Sequence, residues 1–244
     1  MVARGDLGVE LPLEDVPLVQ TRAIAMARRA AKPVIVATQM LESMIETSRP
    51  TRAEASDVAN AVINGADALM LSGETSVGKF PIVAVQTMAR IIIKMEENAL
   101  DTIPALTGLP RTKGGAITRA AAEVGELLGA RFLVAFTQSG DSARRLARLR
   151  SPIPLLAFTP EPSVRSQLAL VWGVESFRTD YVTHTDEMVR QVDQALLGAG
   201  RVVAGELVVI VAGSPPGIPG STNAMRVHRI GDAVGEVADA YRTS

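Results

Sequence analysis

The chain has 244 residues, with 25 lysines and arginines against 26 aspartates and glutamates, two histidines, no cysteine, and 47% apolar residues of which aromatics make up only 3% of the chain. A prior of about 100–200 residues per domain allows one large or two ordinary domains, and a single (β/α)8 barrel of about 250 residues would match the total. A net charge of -1 with both signs interspersed excludes a basic nucleic-acid stripe or polybasic membrane face, the lack of cysteine excludes a disulfide framework and a thiolate metal site, and no apolar run approaches the roughly 18 residues of a membrane span.

In chain order, apolar runs predict strands at Met1–Ala3, Pro33–Thr38, Ala68–Ser72, Arg131–Thr137, Ile153–Thr159 and Leu207–Ala212, with weaker signals at Val174–Phe177 and Met225–Ile230. Segments of helical period alternate with them at Leu18–Ala31, Arg52–Asn64, Ile82–Leu100, Ala116–Leu128, Ala143–Arg150, Pro162–Val171 and Asp186–Leu197. This alternation is the pattern of parallel α/β architecture. Thr51-Arg52-Ala53-Glu54 spells a capping box and defines one helix start. Between Leu100 and Lys113 the periodicity fails, and Pro104, Gly108, Pro110 and Gly114-Gly115 read as a domain linker. Only three strand-helix units precede it, whereas a closed barrel needs eight strands. The expected organisation is therefore a partial barrel over residues 1–106 and a second α/β domain over residues 107–244. No signal-peptide core follows Met1, and the chain reads as starting in mid-structure.

Several segments could carry chemistry. Asp6, in Arg4-Gly5-Asp6-Leu7-Gly8 at the end of the first strand, is either a turn-starting carboxylate or a ligand for a divalent cation beside amides that face an anion. Thr38 ends the run Val34-Ile35-Val36-Ala37, where a hydroxyl either fills a strand position or meets a substrate at the face on which barrel sites are built. Gly73-Glu74-Thr75-Ser76-Val77-Gly78-Lys79 nearly spells a Walker A loop. Phe80 stands where a hydroxyl is needed, and Glu74 would put negative charge in the cradle, so a barrel-mouth loop before Pro81 is the better reading. Thr137-Gln138-Ser139-Gly140-Asp141-Ser142 lies between a strand and a helix start, where hydroxyls and free amides suit either a phosphate or a plain N-cap. Arg144, Arg145, Arg148 and Arg150 follow it. Gly213–Asn223 is a long loop after a buried strand, a common location for a binding site. His184 and His228 have no ligand spacing and read as surface or cap residues.

In combination these segments are specific. Met1–Glu10 with Arg4-Gly5-Asp6-Leu7-Gly8, Ala37-Thr38-Gln39-Met40-Leu41, Pro50-Thr51-Arg52-Ala53-Glu54 and Leu71-Ser72-Gly73-Glu74-Thr75 resemble the pyruvate kinase family, and Thr137–Gly140, Ser142-Ala143-Arg144 and Thr222-Asn223 continue the match. The resemblance covers essentially the whole chain in order. It implies the last three units of a TIM barrel followed by the family's carboxy-terminal α/β domain, and phosphoryl transfer from phosphoenolpyruvate to ADP, giving pyruvate and ATP in glycolysis. Mg2+ or Mn2+ and K+ are the implied cofactors. By the same resemblance, Asp6 is a metal ligand, Gly5 and Asp6 contact the substrate carboxylate, Thr38 contacts substrate and assists protonation of the enolate, and Ser72 and Glu74 lie near the proton-delivery end.

Thr137, Gln138, Ser139, Gly140, Asp141 and Ser142 match the family's allosteric phosphate loop, and Gly217–Thr222 resembles its later effector loop. The tryptophan and arginine with which some eukaryotic members hold fructose 1,6-bisphosphate have no clear counterpart between His184 and Gly205, and Trp172 belongs to an earlier predicted helix. A sugar monophosphate or nucleoside monophosphate is therefore the expected effector class, if any binds. The family's Lys-Ile-Glu segment, its K+ ligands and its phosphate-contacting arginine are not in this chain. An amino-terminally truncated, inactive polypeptide is the expectation, in a protein that is a cytoplasmic homotetramer at full length and has neither nucleic-acid nor membrane partners. A stand-alone effector-binding or subunit-association module is the alternative.

Overall fold

In the computed structural model, residues 1–182, 184–218 and 220–233 are described. They form two compact units, the first comprising Met1–Thr107 with Leu170–Trp172 and the second Gly108–Ala169 with the described residues from Gly173 onward.

The first unit carries β1 (Val2–Ala3), β2 (Ile35–Ala37) and β3 (Ala68–Met70) in a parallel sheet of that order, with Val2 beside Val36 and Val36 beside Leu69. Helices α1 (Arg4–Glu10), α2 (Val16–Arg29), α3 (Arg52–Ile63), α4 (Gly73–Ser76) and α5 (Pro81–Ala99) follow the strands. Val36, Ile24, Met40, Leu41, Met44, Val58, Ala61 and Ala84 are fully buried and make the core of this unit. Pro near the starts of α2 and α5 suits a helical first turn, where a missing N–H leaves no bond unmade.

The capping box is present as expected. Glu54 N donates to Thr51 Oγ1 at 3.2 Å and Thr51 N to Glu54 Oε2 at 2.8 Å. Glu54 does more, accepting also from Ser43 N at 2.7 Å and Ser43 Oγ at 2.5 Å, which ties the loop after β2 to α3. Burial pushes its carboxyl up, but the bonds from Ser43 and Thr51 outweigh this and hold it below its ordinary value of 4.5. A lowered native pKa means that this contribution to stability is complete above about pH 4.5 and fades as pH falls through the lowered value. Chemical denaturation between pH 6 and 3 should therefore show the wild-type chain losing stability more steeply than Glu54→Gln, and parallel curves would refute this role.

The second unit is a five-stranded sheet of order β6 (Val174–Arg178), β5 (Leu155–Thr159), β4 (Phe132–Phe136), β7 (Leu207–Gly213), β8 (Thr222–Arg229). Its strands are parallel except β8, which runs antiparallel to β7. Helices α6 (Lys113–Leu128), α7 (Asp141–Ala147), α8 (Pro162–Leu168) and α9 (Thr185–Gly198) belong to this unit. All five residues of β4 and of β5 are buried, which explains their unbroken apolar runs. Phe136, Phe158 and Phe177, at equivalent levels of adjacent strands, stack with ring centroids 5.2 Å apart, so three of the five phenylalanines form one column.

Some expectations require correction. Arg4–Glu10 is a short helix rather than a turn; Gly5 and Gly8 hide it from propensity, and the hydroxyl of Thr38, just past β2, accepts from one of its first-turn amides. Gly73–Ser76 is likewise a helical turn, and not an open loop. Gly114 and Gly115 belong to the first turn of α6 and not to a linker, because Thr112 caps that turn by accepting from Gly115 N at 3.1 Å. Trp172 lies beyond the end of α8. His228 is not at the surface: it is 2% exposed on β8, and its Nε2 lies 2.7 Å from Oδ1 of the fully buried Asp193 of α9. Asp193 Oδ2 also accepts from the amides of Gly231 and Ala233, at 3.0 and 3.2 Å.

Candidate functional site

The carboxyl edge of the first sheet gathers the residues that sequence singled out. β1 passes directly into α1 with Gly5 and Asp6, β2 ends one residue before Thr38, and Ser72 and Glu74 follow β3 within four residues. Parallel α/β units place ligands at this edge because loops and helix starts converge there.

Gly5 N, one of the amides that a helical first turn leaves without an internal partner, donates to Thr38 Oγ1 at 2.8 Å, and that hydroxyl donates to Ala37 O at 2.6 Å. Arg4 donates through Nε and Nη2 to Thr38 O and through Nη2 to Gln39 O, and its Nη1 pairs with Asp57. The Asp6 carboxylate is exposed and makes no hydrogen bond or ion pair among the described residues. Ser72 is partly buried, with its backbone N–H held by Glu74.

Glu74 is 2% exposed, and its two oxygens accept from Leu41 N at 3.0 Å and Ser72 N at 2.8 Å. The carboxylate thus joins the segments that follow β2 and β3. Gly78 closes the turn after it, since a Cβ there would meet Glu74 O at 2.5 Å. Lys79 pairs with Glu46 and its amide with Ile45 O, which leaves nothing of a Walker A cradle. Glu74→Gln keeps size and one acceptor but turns an NH2 toward a backbone N–H. A loss of about 1–3 kcal/mol in urea denaturation is expected, and an unchanged midpoint would refute the clamp.

The carboxyl edge of the second sheet holds an open cleft. The chain enters this sheet at β4, moves outward to β5 and β6, and returns to β7 on the other side of β4. The segments after β4 and β7 therefore part in opposite directions, the position at which open α/β sheets bind ligands. Thr137, Gln138, Ser139, Asp141 and Ser142 line the cleft together with Pro216, Gly217, Ile218, Gly220, Ser221 and Thr222. Gly140 has φ 78°, a left-handed conformation suited to glycine, and a Cβ on it would lie 2.6 Å from Arg144 Nη1. Ser142 Oγ lies 2.6 Å from Thr222 Oγ1, and Asp141 Oδ2 accepts from Arg145 Nε at 2.6 Å, so the acidic side chain is balanced in place.

Sequence reasoning missed the rest of this cleft, including Phe136, Phe158, Tyr181 and Met188. Nothing in their spacing marks them, because they come from separate elements: Phe136 and Phe158 from the ends of β4 and β5, Tyr181 from the segment after β6, and Met188 from α9. Tyr181 donates to Glu161, and that bond holds its phenol above the usual value. The pairing of Arg4 with Asp57 has no local mark either, since Asp57 lies within α3, 53 residues away. The buried Asp193 did carry a signal: it falls four residues after buried Val189, on the apolar face of α9.

Comparison with known proteins assigns both units to one family. Residues 1–85 match the model of the pyruvate kinase barrel domain, and residues 115–228 that of the pyruvate kinase alpha/beta domain. The chain is 68% identical over 232 residues to the pyruvate kinase of Mycobacterium tuberculosis, covering 95% of this chain and 49% of the relative. Against that of Corynebacterium efficiens identity is 62%, covering 95% and 48%. A crystal structure of a pyruvate kinase from Cryptosporidium parvum matches with a TM-score of 0.83 at 33% identity, covering 93% of this chain and 46% of that one. Two successive domain models and these relatives agree, and the chain belongs to the pyruvate kinase family, spanning about half the length of the curated relatives it matches.

Proposed function

We propose that this chain carries one edge of a pyruvate kinase active site, and that within a polypeptide of the relatives' length it takes part in phosphoryl transfer from phosphoenolpyruvate to ADP, the ATP-forming step of glycolysis. The observation that carries the reading is the convergence of Gly5, Asp6 and Thr38 at one sheet edge, with Gly5 N bonded to Thr38 Oγ1. The amides of Gly5 and Asp6 would face the substrate carboxylate. The Thr38 hydroxyl, already both donor and acceptor, would hold or pass a proton at the enolate carbon. Glu74, through Leu41 N and Ser72 N, would keep the segments that present Thr38 and Ser72 at fixed spacing.

The Asp6 carboxylate fits one position on a divalent cation, being exposed and unbonded. Among the described residues no group of three or more His, Cys, Asp or Glu could hold a metal ion. A Mg2+ that keeps water and substrate oxygens needs only one or two carboxylates from the protein. When bound, Mg2+ or Mn2+ would neutralise charge on the phosphoryl group and the enolate oxygen. The K+ that the family uses would be held by residues outside this chain.

The second unit we assign to effector binding and subunit association in a homotetramer. The cleft at its sheet edge, with hydroxyls from Thr137, Ser139 and Ser142, supports a small phosphorylated effector. A cytoplasmic setting suits the reading; no helix among the described residues is long and apolar enough to cross a membrane. Pyruvate release should be measured with both substrates, Mg2+ and K+, on a polypeptide carrying these residues at the relatives' length and on the 244-residue chain. The first is expected to turn over and the second to give none. Absence of turnover in the first refutes the catalytic reading. If calorimetric titration of the chain with AMP and sugar monophosphates then shows saturable binding, the stand-alone effector module takes its place.

A further inference from the structure

Two residues at the catalytic edge have backbone angles that their side chains disfavour. Thr38, with φ 70°, and Gln39, with φ 53°, are consecutive left-handed residues, and neither is glycine. In this region a Cβ crowds its own backbone, and a β-branched residue such as threonine is seldom found there. Such a pair persists only where its surroundings over-determine it.

One side chain supplies most of that determination. Arg4 lies at the start of α1, with its side chain only 10% exposed. Its Nε and Nη2 donate to Thr38 O at 3.2 and 2.9 Å, and Nη2 donates also to Gln39 O at 2.7 Å. Its remaining Nη1 pairs with Asp57 of α3, which steadies the guanidinium from the far side. Three of its nitrogens are thus spent on two successive carbonyls and a carboxylate, a division that suits a rigid planar fork. A lysine ammonium has the same charge but a single centre, and cannot reach all three acceptors in that geometry.

We propose that Arg4, held by Asp57, is a positioning residue that keeps the Thr38–Gln39 turn left-handed and so sets the Thr38 hydroxyl against the Gly5 amide. This rests on the reading above that Thr38 meets substrate. Arg4 immediately precedes Gly5 and Asp6, so one residue fixes both the start of the first segment and the hydroxyl delivered by the second. Without it, Thr38 relaxes toward negative φ and its Oγ1 leaves Gly5 N.

The test is amide hydrogen exchange by NMR on the 15N-labelled 244-residue chain, with no substrate present, so that it stands or falls apart from phosphoryl transfer. Thr38→Val sets the limit for a Gly5 amide without its acceptor. Arg4→Gln is expected to speed Gly5 exchange about tenfold toward that limit. Over the same time the core amides of Ala66 and Ala84, bonded to Ala61 O and Phe80 O, should stay within about twofold of the parent. Arg4→Lys should fall between parent and Arg4→Gln. Unchanged Gly5 exchange in a folded Arg4→Gln overturns the proposal. If Arg4→Gln does not fold, Arg4→Lys decides: parent-like Gly5 exchange overturns it, and a rise of several-fold confined to the Thr38 contact supports it.

Discussion

Asp6→Ala, introduced into a polypeptide of the relatives' length, is expected to lower kcat/KM for phosphoenolpyruvate by about a thousandfold or more at fixed Mg2+. The exposed, unbonded Asp6 carboxylate is the only acidic side chain among the described residues of α1 apart from Glu10, which lies a full turn further on. Replacing it leaves a cation at this edge with no protein carboxylate from the segment after β1. Because a metal acts on charge that grows in the transition state, the loss should fall mainly on kcat, and raising Mg2+ should restore only part of it. Stability should barely change, since Asp6 contacts nothing that holds the fold; an Asp6→Ala protein with parental turnover would remove Asp6 from the metal site. Asp6→Asn, with one neutral oxygen, should retain little more than the alanine variant.

Asp193→Ala should be the most destabilising single substitution in the second unit, costing about 3–5 kcal/mol. The carboxylate is fully buried, and three partners depend on it: the His228 ring and the amides of Gly231 and Ala233. Truncation leaves all three without an acceptor in the same apolar setting, together with a cavity between α9 and β8. Against a total stability of about 5–15 kcal/mol, a loss of that size removes much of the margin. Asp193→Asn keeps an acceptor and most of the volume and should lose clearly less. Urea denaturation of the 244-residue chain measures both, and an Asp193→Ala midpoint close to the parent's would mean that the buried pair is dispensable.

These two carboxylates differ in how far the sequence alone marks them. Asp6 stands out as a candidate because it sits in a motif of contiguous residues at a strand end, and local order survives folding. Asp193 and His228 are 35 residues apart, and each alone reads as an ordinary helix or strand residue; His228 was therefore expected at the surface. Glu74 lies between them in legibility. Its position was evident, but not that both of its oxygens are taken by backbone amides, one of them 33 residues away. That arrangement gives it a positioning role that no local pattern could show.

By itself, the sequence determined the alternation of buried strands with amphipathic helices, the capping box at Thr51–Glu54, the break between Leu100 and Lys113, and the family. Each depends on apolar periodicity, local hydrogen bonding or contiguous motifs, which are properties of neighbours in the chain. Tertiary structure alone decided the short helix at Arg4–Glu10, the left-handed turn at Thr38–Gln39, the Arg4 fork that spans it and the lining of the cleft beside Thr137–Ser142. These arise where separate strand ends meet, so their energies come from partners distant in sequence, and there they override local preference: glycines enter a helix, and a threonine takes a backbone conformation suited to glycine.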